Sequence, residues 1–187
     1  MTVNASKHYL NRYGVLTGKN IVIATNNDSV YETASQLSTA GASVTVLDSR
    51  TNIEIDIDKN FEILKGVVPY NINGRKKINS LDISKSENIE KFETLNCDQV
   101  LLSGGWSPVV HLLSHRGVKP KWSYENACFL PNDTKENITM IGSSRGLWNK
   151  DDCIASGVAG ATDALNRLGL SKTNYFFPKP GGWKNPI

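Results

Sequence analysis

No apolar run of roughly 18 residues occurs anywhere in the 187 residues, which argues against a membrane-spanning helix, and Met1 to Gly18 is too polar for a secretory signal. A cytoplasmic protein is expected. Cysteine is scarce: Cys97, Cys128 and Cys153 lie about thirty and twenty-five residues apart, with no CxxC pair and no histidine cluster beside them. That spacing gives no zinc site and points to reduced structural thiols. Concentrated charge is missing too. Lys and Arg number 21 against 18 acids and are scattered, apart from Arg75, Lys76 and Lys77 in an expected turn, so no nucleic-acid partner is indicated. Four Asn-x-Ser/Thr sequons, at Asn4, Asn27, Asn132 and Asn137, carry no weight without a signal peptide. What remains is 39% apolar residues and a net charge of +3, the composition of an ordinary folded domain or two.

Periodicity then divides the chain. Ser6 to Val15 predicts a short leading helix closed by Gly18. Asn20 to Thr25, NIVIAT, is a continuous β-branched run of the kind buried on both faces of a parallel sheet. Ser29-Val-Tyr-Glu32 fits a capping box, with Val30, Ala34, Leu37 and Ala40 at helical spacing until Gly41. Ala42 to Asp48 is a second strand ending in an acid, completing a βαβ unit. Alternation then takes over at Phe61 to Leu64, Val67 to Ile72 and Lys77 to Leu81. With Asn73-Gly74 as a hairpin turn, these segments predict an antiparallel meander, and Asp82 to Phe92 an exposed connector.

Cys97 to Ser103 returns to the buried-strand type. It leads through Gly104-Gly105 into a helix expected over Ser107 to His115, with Ser107 as N-cap and Pro108 in the first turn. Lys121 to Leu130 is an extended arm or hairpin, Ile138 to Ile141 a last short strand, and Asp152 to Leu168 a helix with Ile154, Val158, Ala161, Leu165 and Leu168 on one face. The expected division is 1–96 for the βαβ unit and meander, 97–170 for a return segment completing an adjacent nucleotide-binding domain, and 171–187 for a Pro/Gly-rich tail.

A βαβ unit whose second strand ends in an acid is the frame of a dinucleotide site, where glycines admit the pyrophosphate to the helix N-terminus. Those glycines are absent, since none occurs between Thr25 and Gly41, and Asp28 stands where the phosphate would lie, with Glu32 close behind. Like charge opposes an anion there, so the turn reads as structural, and Asp48 as an acid capping a turn. Gly104 and Gly105 before a helix either let backbone amides approach a ligand or make a tight turn with Trp106 as core. Gly142-Ser143-Ser144-Arg145-Gly146 offers amides, hydroxyls and a guanidinium suited to a pyrophosphate, unless Arg145 bridges to an acid. These seven residues are the candidate cofactor contacts. His111 and His115 lie one helical turn apart without a third ligand and read as surface histidines. No catalytic constellation and no metal site stands out.

The element order, βαβ, meander, return strand and strand-Gly-helix, resembles the rear half of a two-dinucleotide-binding-domain flavoprotein of the glutathione reductase type, an α/β Rossmann-like fold. More narrowly, IATNNDSVYETASQLSTAGASVTVLDSR, LLSGGWSPVVHLLSHRG with Trp122, and IGSSRG resemble the α subunit of heterotetrameric sarcosine oxidase from about His8 to Leu168. That α subunit is much longer, so the chain resembles an internal fragment or a split gene product.

The resemblance implies a complex with β, γ and δ subunits that demethylates sarcosine oxidatively. Tetrahydrofolate is the one-carbon acceptor, hydrogen peroxide a product, FAD and FMN the flavins, and the α subunit carries NAD. It also implies that sarcosine is oxidised on the β subunit's FAD, and that this chain meets NAD through Gly142 to Gly146 while its own second nucleotide site is lost. Alone it is expected to be inactive and to hold no cofactor tightly. A free-standing α/β nucleotide-binding or interaction module without redox activity is the other open reading.

Overall fold

The computed structural model describes residues 1–54, 60–132 and 137–180, and these divide after Gly105 into two compact units, each taken by itself below.

In the first unit, helix α1 (Val3–Tyr13) begins at Thr2, whose hydroxyl accepts from the Ala5 amide, and ends at Gly14 in the left-handed conformation. Strand β1 (Asn20–Thr25) follows, then a single 3₁₀ turn over Asp28–Val30, helix α2 (Tyr31–Thr39) and strand β2 (Ser43–Asp48). The expected capping box is replaced by an Asn27 cap. Its side chain accepts from the Ser29 amide, so the cap stands two residues before the Ser29 cap read from sequence.

Strand β3 (Glu62–Lys65) pairs in parallel with β2, so it is the outer strand of the parallel sheet and not part of the meander. Strands β4 (Val67–Asn73), β5 (Ser80–Lys85) and β6 (Lys91–Asn96) form a separate antiparallel sheet in the order β4-β5-β6. Much of the connector expected over Asp82 to Phe92 is therefore strand. Its charged look comes from the polar positions alternating with Leu81 and Ile83, both fully buried. Strand β7 (Gln99–Ser103) returns to pair in parallel with β1, giving the sheet order β3-β2-β1-β7.

Strand β7 is hydrogen-bonded into the first sheet, so it belongs to the first compact unit, which ends at Gly105. The period-two alternation of β1 explains the layering. Ile21 and Ile23 join Val30, Ala34, Leu37, Val46 and Leu101 in one core, while Val22 and Ala24 join Leu47, Leu81, Ile83 and Val100 in the other. Each fully buried aliphatic side chain contributes roughly 1.5–3 kcal/mol, which is why the run NIVIAT is apolar throughout.

One acid sits on the antiparallel sheet. Asp82, on β5, accepts from the Thr94 hydroxyl at 2.6 Å and pairs with Lys91 at 3.1 Å. The Thr94 bond first, then the Asn73 side chain and Lys91, hold its carboxyl down at about 2. Its folded value lies below the ordinary unfolded value of about 3.9, so its stabilisation is complete above that pH and is lost as pH falls from about 4 through 2. Asp82→Asn should flatten the acid limb of a stability-versus-pH profile in that window. An unchanged limb would show that the carboxylate is not held as described.

In the second unit, helix α3 covers only His111–His115, shorter than the expected Ser107 to His115. The β-branched pair Val109-Val110 disfavours extension towards Pro108, and Val110 supplies no side-chain cap. Strands β8 (Lys121–Ser123) and β9 (Cys128–Leu130) make the expected hairpin, Trp122 facing Phe129 across it. Ile138 to Ile141 is not a strand, having no neighbouring strand to complete a ladder. Helix α4 (Lys150–Arg167) starts at Asn149, whose side chain accepts from the Asp151 amide.

The face that α4 buries is not its apolar stripe. Ser156, Ala159 and Asp163 are covered, while Ile154, Val158, Leu165 and Leu168 are exposed by 58, 64, 44 and 72%. The small residues allow close packing, Gly160 lying directly against Ile141. Of the tail expected over 171–187, residues 181–187 lie outside the described residues.

Candidate functional site

Strand β1 lies between β2 and β7, all three parallel, so their carboxyl ends share one edge of the sheet, the edge where open α/β sheets bind ligands. The chain fills that place with its own polar groups. Thr25 Oγ accepts from the Asn27 amide at 3.1 Å and donates to the Asn27 carbonyl at 3.0 Å. Asn27, fully buried, accepts from the Ser29 amide and hydroxyl and donates to Asn26 Oδ1 at 2.9 Å. Its amide also reaches Ser103, at the end of β7, at 3.4 Å, bridging the two strand ends.

Beside this turn lies an ionic hub. Asp48, fully buried at the end of β2, accepts from the Arg50 backbone amide and Nε at 2.9 Å each and from Arg50 Nη2 at 2.7 Å. Arg50 Nη2 also bonds Asp28 at 2.7 Å, and the Tyr31 hydroxyl donates to Asp48 Oδ2 at 2.5 Å. Burial opposes the charge on Arg50, but the two carboxylates outweigh it and hold the guanidinium more firmly charged than usual. Burial, then the bond to Asp48, pushes the Tyr31 hydroxyl well above its ordinary range. Asp48, the acid that would meet a ribose, thus has its oxygens engaged by Arg50 and Tyr31. Asp28 places negative charge at the turn. The residues here do not fit a dinucleotide pyrophosphate.

The seven candidate contacts fall in separate units, Gly104 and Gly105 in the first and Gly142 to Gly146 in the second. Gly105 takes a φ of +100°, which serves the tight turn out of β7. Trp106 packs against Trp148, ring centroids 5.9 Å apart and the planes tilted by 44°. Gly142 to Arg145 form a 3₁₀ turn whose backbone is largely satisfied within the unit. The Gly142 amide donates to Ser156 Oγ at 2.8 Å, the Gly146 amide to the Ser143 carbonyl at 3.1 Å, and the Ser144 hydroxyl to the Ile141 carbonyl at 2.6 Å. Gly146 is buried where a Cβ would stand 2.5 Å from Leu130.

Arg145 is different. Its guanidinium lies 4.4 Å over the Phe177 ring, it makes no ion pair among the described residues, and its Nε is buried without a hydrogen-bond partner. Asp163, close by, is saturated. It accepts from Thr139 at 2.8 Å, Tyr175 at 2.7 Å and Arg167 at 3.0 Å. The Tyr175 bond first, then Thr139 and Arg167, keep its carboxyl below the usual carboxylate range, and the same bond raises the Tyr175 hydroxyl.

Sequence reasoning missed Arg50, Tyr31 and Asn27. The one local signal was Asp48-Ser-Arg50, an acid and a base two residues apart at a strand end. Cys97 and Cys128 are buried free thiols that burial pushes up, consistent with structural roles. Among the described residues no cluster of His, Cys, Asp and Glu is placed to hold a metal ion, and no helix is long and apolar enough to cross a membrane.

No family model matches the chain. Sarcosine oxidase subunit alpha of Rhizobium meliloti is 32% identical to it over 171 residues, covering 91% of this chain and 17% of that protein. The chain resembles part of the sarcosine oxidase alpha subunit. The ferredoxin–NADP reductase of Streptococcus agalactiae is 30% identical over 169 residues, 86% of this chain and 50% of that protein. The chain thus spans between a sixth and a half of the curated relatives it matches. Lactococcus lactis thioredoxin reductase superposes with a TM-score of 0.60 at 21% identity, over 81% of this chain and 52% of that one. The fold is therefore α/β and Rossmann-like, as the order of elements implied.

Proposed function

We propose that the chain is part of a flavoprotein oxidoreductase of the sarcosine oxidase alpha type. In that reading the complete complex demethylates sarcosine oxidatively to glycine, passes the one-carbon unit to tetrahydrofolate and yields hydrogen peroxide. FAD and FMN are held elsewhere in the complex. NAD is held by the rest of the alpha subunit, with Arg145 and the 142–146 turn as this chain's contribution, and β, γ and δ subunits complete the assembly. The observation that carries this is the match to sarcosine oxidase subunit alpha over nine-tenths of the chain.

Three structural features support the division of labour. The β1 turn carries the Asp28–Arg50–Asp48 hub, which engages Arg50 with the protein's own carboxylates and sets Asp28 against a pyrophosphate there. The outward stripe of Ile154, Val158, Leu165 and Leu168 on α4 is apolar surface of the kind that further protein covers. Arg145, with a buried and unpartnered Nε, fits an anionic group.

Expression of the chain alone and with the remaining alpha segments and partner subunits tests this. The isolated chain should purify without flavin absorbance, oxidise no sarcosine and bind NAD weakly or not at all. The assembled complex should produce sarcosine-dependent peroxide. A micromolar NAD dissociation constant for the isolated chain, about −8 kcal/mol, would instead establish a free-standing nucleotide-binding module.

A further inference from the structure

The second unit contains a cavity of about 240 Å³ bordered by Leu130, Met140, Arg145, Asp163, Tyr175 and Phe177, among others. We infer that this cavity is a binding site for a compact oxyanion, a phosphate group or a small carboxylate, received by Arg145. The inference deepens the reading of Arg145 as an anion contact, on which it rests, by naming the ligand class and where it sits.

Charge is the first argument. Among the described lining residues two guanidiniums, Arg145 and Arg167, face one carboxylate, Asp163. That carboxylate is paired with Arg167 at 2.8 Å and also bonded by Tyr175 and Thr139, so it leaves Arg145 uncompensated. Arg145 borders the cavity without an ion pair among the described residues, and an oxyanion is the group that a guanidinium edge satisfies best. Geometry is the second. Phe177 covers the face of the Arg145 guanidinium at 4.4 Å, and stacking on the face leaves the in-plane N–H edge available for hydrogen bonds. Phe177 is therefore a positioning residue that holds the edge in one orientation.

Size is the third argument. At about 240 Å³ the cavity lies just below the roughly 300–1,000 Å³ of sites for drug-sized ligands. It is too small for a whole dinucleotide and matches one anionic group with a small apolar body beside Leu130 and Met140. The anion is either a phosphate of the cofactor or a free small oxyanion, and the chemistry at Arg145 is the same for both.

Titration of the full chain with inorganic phosphate and with acetate, followed by calorimetry and by ³¹P line width, tests the site. Saturable binding is expected. Arg145→Gln should weaken it roughly tenfold or more, Phe177→Leu by less, and Asp28→Ala not at all, with circular dichroism confirming that each variant is folded. Absence of saturable binding, or binding indifferent to Arg145→Gln, overturns the proposal.

The outcome stands apart from the NAD reading. If phosphate fails to bind while Arg145→Gln still weakens NAD in the complete alpha subunit, the cavity is wrong and the cofactor contact stands. If phosphate binds through Arg145 while NAD is indifferent to the variant, the cavity stands and the cofactor contact is wrong. When both hold, phosphate competition against NAD identifies the cofactor as the source of the anion, and simultaneous binding identifies a separate small oxyanion.

Discussion

Arg50→Met is expected to destabilise the chain by about 3–5 kcal/mol, measured by urea unfolding. Arg50 bonds Asp48 through its backbone amide, Nε and Nη2, and Asp48 is fully buried at the end of β2. Removing the cation leaves that buried carboxylate with the Tyr31 hydroxyl and the backbone amide alone, at the end of a strand whose Val46 and Leu47 are also fully buried. The double variant Asp48→Asn with Arg50→Met should recover part of the loss, because no net charge then stays buried. A loss under about 1 kcal/mol, the range of exposed ion pairs, would mean that the hub is solvated and does not seal the β1 turn.

Arg145→Ala should weaken NAD binding by the complete alpha subunit roughly ten- to a hundredfold, the value of about 1.5–3 kcal/mol for a hydrogen bond to a charged group. Part of the effect comes through position. Phe177 stacks on the guanidinium and the Nε is already buried, so little side-chain freedom is lost when an anion arrives. Arg145→Lys keeps the charge but loses the planar edge, and should recover only part of the affinity.

Local pattern revealed the elements whose burial is complete. Ile21 to Thr25 and Ser43 to Asp48 are β-branched because both faces of the parallel sheet are covered, and the helix between them shows its inward Val30, Ala34 and Leu37. Pattern failed where pairing is decided by tertiary neighbours. Glu62 to Lys65 alternates like a meander strand yet lies at the edge of the parallel sheet, and Asp82 and Ser84 gave β5 a polar look although both are buried. On α4 the apolar residues were legible as one stripe, but that Ser156, Ala159 and Asp163 carry the packed face was not.

At the site, the missing glycines and Asp28 were legible as an obstacle to a phosphate. The partner that fixes that obstacle, Arg50, was not, since an ion pair between Asp28 and a residue 22 positions away leaves no periodic trace. The ring over which Arg145 lies was equally hidden, Phe177 standing 32 positions along the chain.

The most direct measurement is a side-by-side NAD titration of the complete alpha subunit carrying Arg145→Ala or Asp28→Ala. The account predicts a loss of roughly ten- to a hundredfold for Arg145→Ala and a change of less than about threefold for Asp28→Ala, since a threefold change is under 1 kcal/mol. Equal losses from both substitutions, or a loss from Asp28→Ala alone, would show that the β1 turn still touches the cofactor and would reverse the roles given to the two segments.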